Sequence, residues 1–310
     1  MAEPPFVENP AAPWITAVIA TRHRAAFVAQ CVESILRNQY PCFDLQVVDQ
    51  STDNTTENAL AGLREDARLH YLHRPAAGLS AGRNLGIAQA RGELIACTDD
   101  DCEAPPDWLA GMVSVLTREP RATAVFGNVR PIAHDRAAGF IPGYLRAQPV
   151  LARNLRQYYL ADGMSGCMGL RRSMWETLGG FDEMLGSGAR FRAAEDMDFA
   201  IRTLLAGSWV AATPEVEVMH LGFRSWDDGR KLIQGYLFGI GAMIAKHLKC
   251  GNWRILHYMA RLAWRWAFTG PAIDLGQTPP RWLRLRAWLQ GVYSGFTQPV
   301  NRHRSLFRPS

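Results

Sequence analysis

"ELIACTDDDCEAPPDWL", Glu93 to Leu109, ends an apolar run on three carboxylates and then restarts in a Pro-Pro-Asp-Trp-Leu segment. Leu94 to Thr98 reads as a buried strand. "PDWLAGMVSVLTREP" reads as a helix opened by Asp107 as a cap and closed before Pro120. The same alternation runs upstream. "WITAVIAT" (14–21), "DLQVVDQS", which stops at Asp49, and "LHYLH" are strands. Between them, "AAFVAQCVESILRNQYP" sets Phe27, Val28, Cys31, Val32, Ile35 and Leu36 on one helical stripe. "TENALAGLRE" is a helix, and "LSAGRNLGIAQARG" is a helix stopped by Gly92. "ATAVFGNV" is a further strand. Strands alternating with helices of about 10–15 residues predict an α/β fold with a mostly parallel central sheet.

In such sheets ligands bind beyond the carboxyl ends of the strands. Thr21, Asp49 and the Asp99–Asp101 triplet each follow a strand, so parallel strands turn all three toward one crevice. The second half is less regular. "GMSGCMGLRRSMWETLGGFDE" (163–183) reads as a short strand, a helix and a Gly-Gly turn. "AAEDMDFAIRTLLAGS" is a helix with Met197, Ala200, Ile201, Leu204 and Leu205 inward, and "WVAATPEVEVMH" is a strand pair or an irregular strand ending at His220. From Asp227 onward the pattern is helical and basic. The expected division is a flexible lead (1–13), a main α/β domain (14–225) and a basic, Trp-rich helical extension (226–310).

The totals bound the function. The chain has 310 residues, 48% hydrophobic and 20% charged, an ordinary balance for a globular core. Its six cysteines form neither a CxxC pair nor a zinc-spaced Cys/His cluster, which fits reduced thiols in a cytoplasmic protein. The first residues lack the basic start and apolar run of a signal peptide. The net charge of +5 is unevenly spread: Lys246 to Ser310 holds eleven Lys+Arg and one acid, Asp274. The same segment holds five of the ten tryptophans: Trp253, Trp264, Trp266, Trp282 and Trp288. Basic charge with tryptophan suits an anionic membrane interface better than nucleic acid. No run reaches the roughly 18 apolar residues of a spanning helix. No G-x-G-x-x-G opens the first helix and no P-loop is present, which excludes those phosphate-binding classes.

On an extended segment Asp99 and Asp101 share a side. Carboxylates that close raise each other's pKa unless a cation is present. A hard divalent cation, Mg²⁺ or Mn²⁺, relieves the repulsion and keeps positions for phosphate oxygens, whereas a solvated acidic turn needs no cation. Asp49 either caps the turn that follows or accepts from a base or ribose. Glu195 and Asp196 open a helix, where acids complement the dipole. His220, Arg83 and Asn84 each have a bland reading as packed or solvated side chains, and Asp198 reads as surface.

Taken together, "VIATRHRAAFVAQCVESIL", "LQVVDQSTDNT", "GLSAGRNLGIAQARGELIACTDDDCEAPPDWL", "GCMGLRRSMWETLGGFDE" and "AAEDMDFAIR" resemble family 2 glycosyltransferases over about two thirds of the chain. These are inverting, nucleotide-sugar-dependent enzymes of GT-A (Rossmann-like) fold. The resemblance implies that 14–225 is the catalytic domain and that Asp196 is the general base, with Glu195 beside it. It implies that Thr21, Asp49, Arg83, Asp99 and Asp100 bind the donor nucleotide. It implies that Asp101, Asp99 and His220 hold a divalent cation, Mn²⁺ or Mg²⁺. The family often has Asp-Asp or Asp-Gly where this chain has Asp49-Gln50. Processive members carry Gln-x-x-Arg-Trp; here Leu262 precedes Arg265-Trp266, so one sugar per encounter is expected. The implied partners are a nucleotide-sugar donor, with uridine diphosphate first, and a glycan or lipid-linked acceptor. An anionic membrane surface on the cytoplasmic face follows from the tail, and the oligomeric state stays open. Two other classes compete: a metal-dependent sugar nucleotidyltransferase, and a non-enzymatic sugar- or nucleic-acid-binding protein using the basic tail.

Overall fold

Ile15–Thr21 (β1) is buried along its whole length. Ile15, Ala17 and Ile19 join one apolar cluster while Val18 joins the other, so the strand's two-residue period carries a core on each face of the sheet. The computed structural model describes residues 12–268 and 279–308, without the side chains of 262–268. Residues 1–11 of the expected lead, Asp274 and the side chains of Trp264, Arg265 and Trp266 lie outside the described residues.

After β1 come α1 (Ala25–Leu36), β2 (Phe43–Asp49), α2 (Thr55–Ala59), β3 (Leu69–His73), α3 (Leu79–Gln89), β4 (Leu94–Thr98), β5 (Cys102–Glu103), α4 (Trp108–Arg118) and β6 (Ala122–Pro131). The second half adds β7 (Gly139–Phe140), β8 (Val150–Ala152), a 3-10 helix at Leu155–Leu160, β9 (Cys167–Arg171), α5 (Arg172–Leu178), α6 (Glu195–Leu205), β10 (Trp209–His220) and β11 (Arg224–Ser225). The remainder is α7 (Trp226–Lys249), α8 (Ile255–Phe268), α9 (Arg281–Thr297) and the hairpin β12 (Val300–Asn301) and β13 (Leu306–Phe307).

The main sheet has the order β3-β2-β1-β4-β9-β6-β10-β5, with β8 also paired to β10. β1, β2, β3, β4, β6 and β10 run one way; β5, β8 and β9 run the other. The sheet is therefore mostly parallel, as the alternation predicts. β9 is wedged antiparallel between β4 and β6.

Three local expectations change. The helix expected over "TENALAGLRE" is only the five residues of α2, followed by turns. α3 ends at Gln89, because Ala90 is already extended, and Gly92 lies beyond the stop. Asp107 makes no side-chain cap bond; the start of α4 is closed by Trp108 N donating to the Pro105 carbonyl at 3.0 Å. The segment ending at His220 is one strand, β10, with a register shift against β6 between Ala212 and Glu217.

α7 enters the core: Ile240, Met243 and Ile244 pack in the same cluster as Val18 and Ile95. Asp198, expected on the surface, is fully buried. It accepts from Arg202 Nε at 2.8 Å, lies 2.6 Å from Lys246 Nζ and lies 3.0 Å from His247 Nε2. Its position on α6 faces α7, and Lys246 and His247 of α7's last turn are directed to it.

Candidate active site

β1 pairs with β2 on one side and β4 on the other, so the strand order turns back at β1. Splayed loops at such a switch point leave a crevice. A cavity of about 550 Å³ opens there, lined by Thr21, Asp99, Asp100, Asp101, Glu195, Asp196 and His220 among others. α7 and α8 close it from above with Leu232, Tyr236, Ile240 and Tyr258.

The acid triplet is a tight turn and not an extended segment, because Cys102 N donates to the Asp99 carbonyl at 3.1 Å. The strand alternation expected for Asp99 and Asp101 is thereby lost, and it is Asp100 and Asp101 that converge. Arg24, at the N-cap of α1, donates to both, Nη1 to Asp100 Oδ1 at 2.7 Å and Nη2 to Asp101 Oδ2 at 2.6 Å. Thr21 Oγ1 donates to the other Asp100 oxygen at 2.7 Å. Asp100 and Asp101 are only 5% and 2% exposed, so the triplet is no solvated turn. Burial pushes the Asp100 carboxyl up to about 6 against the pull of Arg24 and Thr21. For Asp101 burial is outweighed by His220 and Arg24, which hold it well below the usual carboxylate range.

His220 lies at the end of β10. Its Nδ1 is 2.5 Å from the Pro142 carbonyl oxygen, which can only accept, so Nδ1 carries the proton. Its Nε2 faces Asp101 Oδ1 at 3.3 Å. A nitrogen lone pair and a carboxylate facing each other require a positive charge between or on them. Without a metal a second proton supplies it: burial lowers the His220 pKa, but Asp101 outweighs burial and raises it. A divalent cation supplies the same charge, and the oxygen and nitrogen donors suit one. Cys102 completes the candidate cluster Asp101–Cys102–His220. Gly222 makes room: a Cβ there would overlap Asp101 Oδ2 and lie 3.0 Å from His220 Nε2.

Asp99 turns the other way. It accepts from Arg83 Nη2 at 2.6 Å, and Arg83 Nη1 lies 3.6 Å from Glu195 Oε1. Arg83 is fully buried and does not line the cavity; it ties the triplet to the start of α6 from beneath. Ala194, the residue before α6, has φ +74, a left-handed backbone that costs a non-glycine residue. That bend swings Glu195 and Asp196 onto the cavity wall. Asp196 is half-buried and accepts from Ser165 N at 3.0 Å and Met197 N at 2.6 Å. Burial raises its pKa against those two bonds. Glu195 is more buried, accepts from Ser165 Oγ at 3.2 Å, and is pushed up to about 7 by burial and by the charge of Asp196.

Asp49 also stands apart. It is fully buried, accepting from Tyr71 OH at 2.7 Å and Ser51 N at 2.9 Å, and the next residue, Gln50, is the one on the cavity wall. Arg24, Gln50, Cys102, Ser165 and Arg224 are absent from the sequence-derived set. A lone arginine before a helix or a serine between glycines has no signature of its own.

The model of the family described as glycosyl transferase family 2 matches residues 16–179, just over half of the 310. The chain belongs to glycosyl transferase family 2. Among curated relatives of this family-2 chain is an uncharacterized protein, y4gI, of Sinorhizobium fredii, 30% identical over 67% of the chain and 24% of the relative. Another is glycosyltransferase GlyG of Streptococcus pneumoniae serotype 4, 31% identical over 46% of each. The chain thus spans less than half the length of either. Among solved structures, the mannosyltransferase PcManGT of Pyrobaculum calidifontis, in complex with GDP-Man and Mn²⁺, aligns at TM-score 0.54 and 20% identity. That alignment covers 92% of the chain and 74% of the neighbour. The likeness is one of fold, and it agrees with the GT-A architecture of a mostly parallel sheet followed by helices.

Proposed function

We propose that this chain is an inverting, non-processive glycosyltransferase. It moves one sugar from a nucleoside diphosphate sugar to a hydroxyl of a glycan or lipid-linked acceptor. The observation that carries the reading is the shared cavity, which the pair Asp101 and His220 and the pair Glu195 and Asp196 line together. A donor diphosphate at the first pair leaves its anomeric carbon toward the second. The mannosyltransferase neighbour was solved with a nucleotide sugar and Mn²⁺, which supports a donor and a cation of the same classes.

Asp101 and His220 would hold the cation, which when bound neutralises charge gathering on the departing diphosphate. Asp196 takes the proton of the acceptor hydroxyl as that oxygen attacks the anomeric carbon from the face opposite the diphosphate. The two carboxylates differ in environment. Asp196 is hydrogen-bonded by two backbone N–H groups and reaches solvent, so it carries the negative charge. Glu195, buried and raised to about 7, takes the proton of the pair first. Thr21 and Asp99 lie at the donor end, with Gln50 where a base or ribose edge would rest.

The test is incubation with uridine and guanosine diphosphate sugars, with Mn²⁺ and without. The expected product is free nucleoside diphosphate; pyrophosphate from a triphosphate would instead mark a nucleotidyltransferase. Asp196→Asn should lower turnover by about 10²–10⁴-fold, the usual worth of a general base, while donor affinity is retained. Near-full turnover in that variant would remove Asp196 from the mechanism.

A further inference from the structure

Helix α9 has two apolar faces, and among the described residues only one of them is packed. Ala287, Gly291 and Gly295 are buried against α7, where a side chain on Gly291 would overlap the Phe238 carbonyl. On the other face Trp282, Leu285, Leu289, Tyr293 and Phe296 are 63, 57, 51, 73 and 45% exposed. At about 100° per residue these five fall within an arc of roughly 80°, almost opposite the buried glycines. A solvated helix face ordinarily carries charged side chains, but this one carries three aromatic rings and two leucines in a row.

The charge around the stripe names the occupant. Arg281 and Arg286 are exposed beside it. Besides Lys246, which is buried against Asp182 and Asp198, ten Lys+Arg and one acid lie in the segment that runs from there to Ser310. Two copies meeting through α9 would bring two such basic segments together, whereas an anionic surface neutralises them. We propose that this face of α9 rests on an anionic lipid bilayer, with the helix axis in the plane of the surface. Trp282, Tyr293 and Phe296 sit at headgroup level, Leu285 and Leu289 reach the acyl boundary, and Arg281 and Arg286 face lipid phosphates. Among the described residues no helix is long and apolar enough to cross a membrane, so attachment is by lying on the surface. The inference stands on α9 and its charge and not on the transfer reaction.

The experiment is flotation of the full chain with vesicles of phosphatidylglycerol and phosphatidylcholine, against phosphatidylcholine alone. Co-flotation is expected only with the anionic vesicles. Leu289→Ser with Tyr293→Ser should weaken binding at least about tenfold, since two large apolar contacts are lost. Arg281→Gln and Arg286→Gln should each weaken it about fivefold, and the effect should shrink in high salt. All of these side chains are exposed, so the melting temperature should stay at the wild-type value; if the serine pair lowers it, the arginine pair decides. No flotation, equal flotation on neutral vesicles, or flotation untouched by the arginine changes overturns the proposal. A dimer in light scattering that the serine pair abolishes, with no flotation, assigns the stripe to a second copy instead.

Discussion

Arg24 holds two buried carboxylates with one guanidinium, at 2.7 and 2.6 Å. Asp101 is also the carboxylate that faces His220, so Arg24 and a divalent cation draw on the same charge. Arg24→Ala should therefore tighten Mn²⁺ binding by about tenfold, one charged hydrogen bond's worth, in a titration followed by the resonance of free Mn²⁺. Weaker binding would mean that Arg24 orders the site and does not compete. In the same cavity the pair Glu195 and Asp196 sets a pH limit. Burial raises both carboxyls, Glu195 to about 7 with the charge of Asp196 adding to it, and Asp196 with the charge of Asp99 adding to it. As pH falls the first proton goes to Glu195 and Asp196 stays charged; at lower pH Asp196 takes a proton and the base is lost, so there kcat/KM should fall toward tenfold per pH unit. Glu195→Gln imitates the protonated Glu195 and should leave this limb where it is; a limb that moves would mean that Glu195 itself titrates in it. At this scale the sequence was legible wherever a polar residue ends a strand. Thr21, Asp99–Asp101 and His220 all reach the cavity for that reason. Asp49 ends a strand too, yet it takes the capping alternative, accepting from Ser51 N two residues on, and Tyr71 holds its other oxygen inward, a contact 22 residues away that no spacing announces.

At the scale of elements, the joint between α6 and α7 is ionic. Asp198 lies among Arg202, Lys246 and His247, and Lys246 also reaches Asp182 Oδ2 at 2.7 Å. Burial raises the Asp198 carboxyl, but Lys246, Arg202 and His247 outweigh burial and hold it well below 3.8. Burial, with the charges of Lys246 and Arg202, lowers His247 below 6.5 despite its bond to Asp198. Both shifts have one sign: on acidification the unfolded chain takes up protons that the folded chain refuses. The contribution of this joint to stability should thus decline as pH drops below about 6.5 through His247, and further below about 4 through Asp198, while the raised Asp100, Glu195 and His220 act in the opposite sense. The difference in urea midpoint between the wild type and His247→Gln across that range checks it, and a difference that does not change with pH would contradict the assignment. Asp198→Asn leaves buried cations short of a partner and should cost roughly 3–5 kcal/mol. The amphipathic pattern of α6 was readable from its apolar spacing. The Asp198 partners Lys246 and His247 were not, because they lie about 50 residues away on a helix whose basic residues look solvated in one dimension.

Over the whole molecule, the extension from 226 is built into the α/β half. Ile240, Met243 and Ile244 of α7 and Phe307 of β13 share a core cluster with Val18 of β1 and Ile95 of β4. Phe307 N donates to Asp182 Oδ2 at 2.8 Å, and Lys249 Nζ donates to the carbonyls of Phe296 and Gln298. The change of composition near residue 226 marks a change of surface, from acidic to basic, and apolar burial continues across it. A chain with one core should unfold once. Urea transitions followed by tryptophan fluorescence, which weights the C-terminal segment, and by far-ultraviolet dichroism, which weights the sheet and helices together, should coincide. A chain cut after Ser225 should lose that cooperativity, since it bares the apolar surface that α7 covers. Two separated transitions in the intact protein, or a cooperative fold in the shortened one, would make the extension a domain of its own.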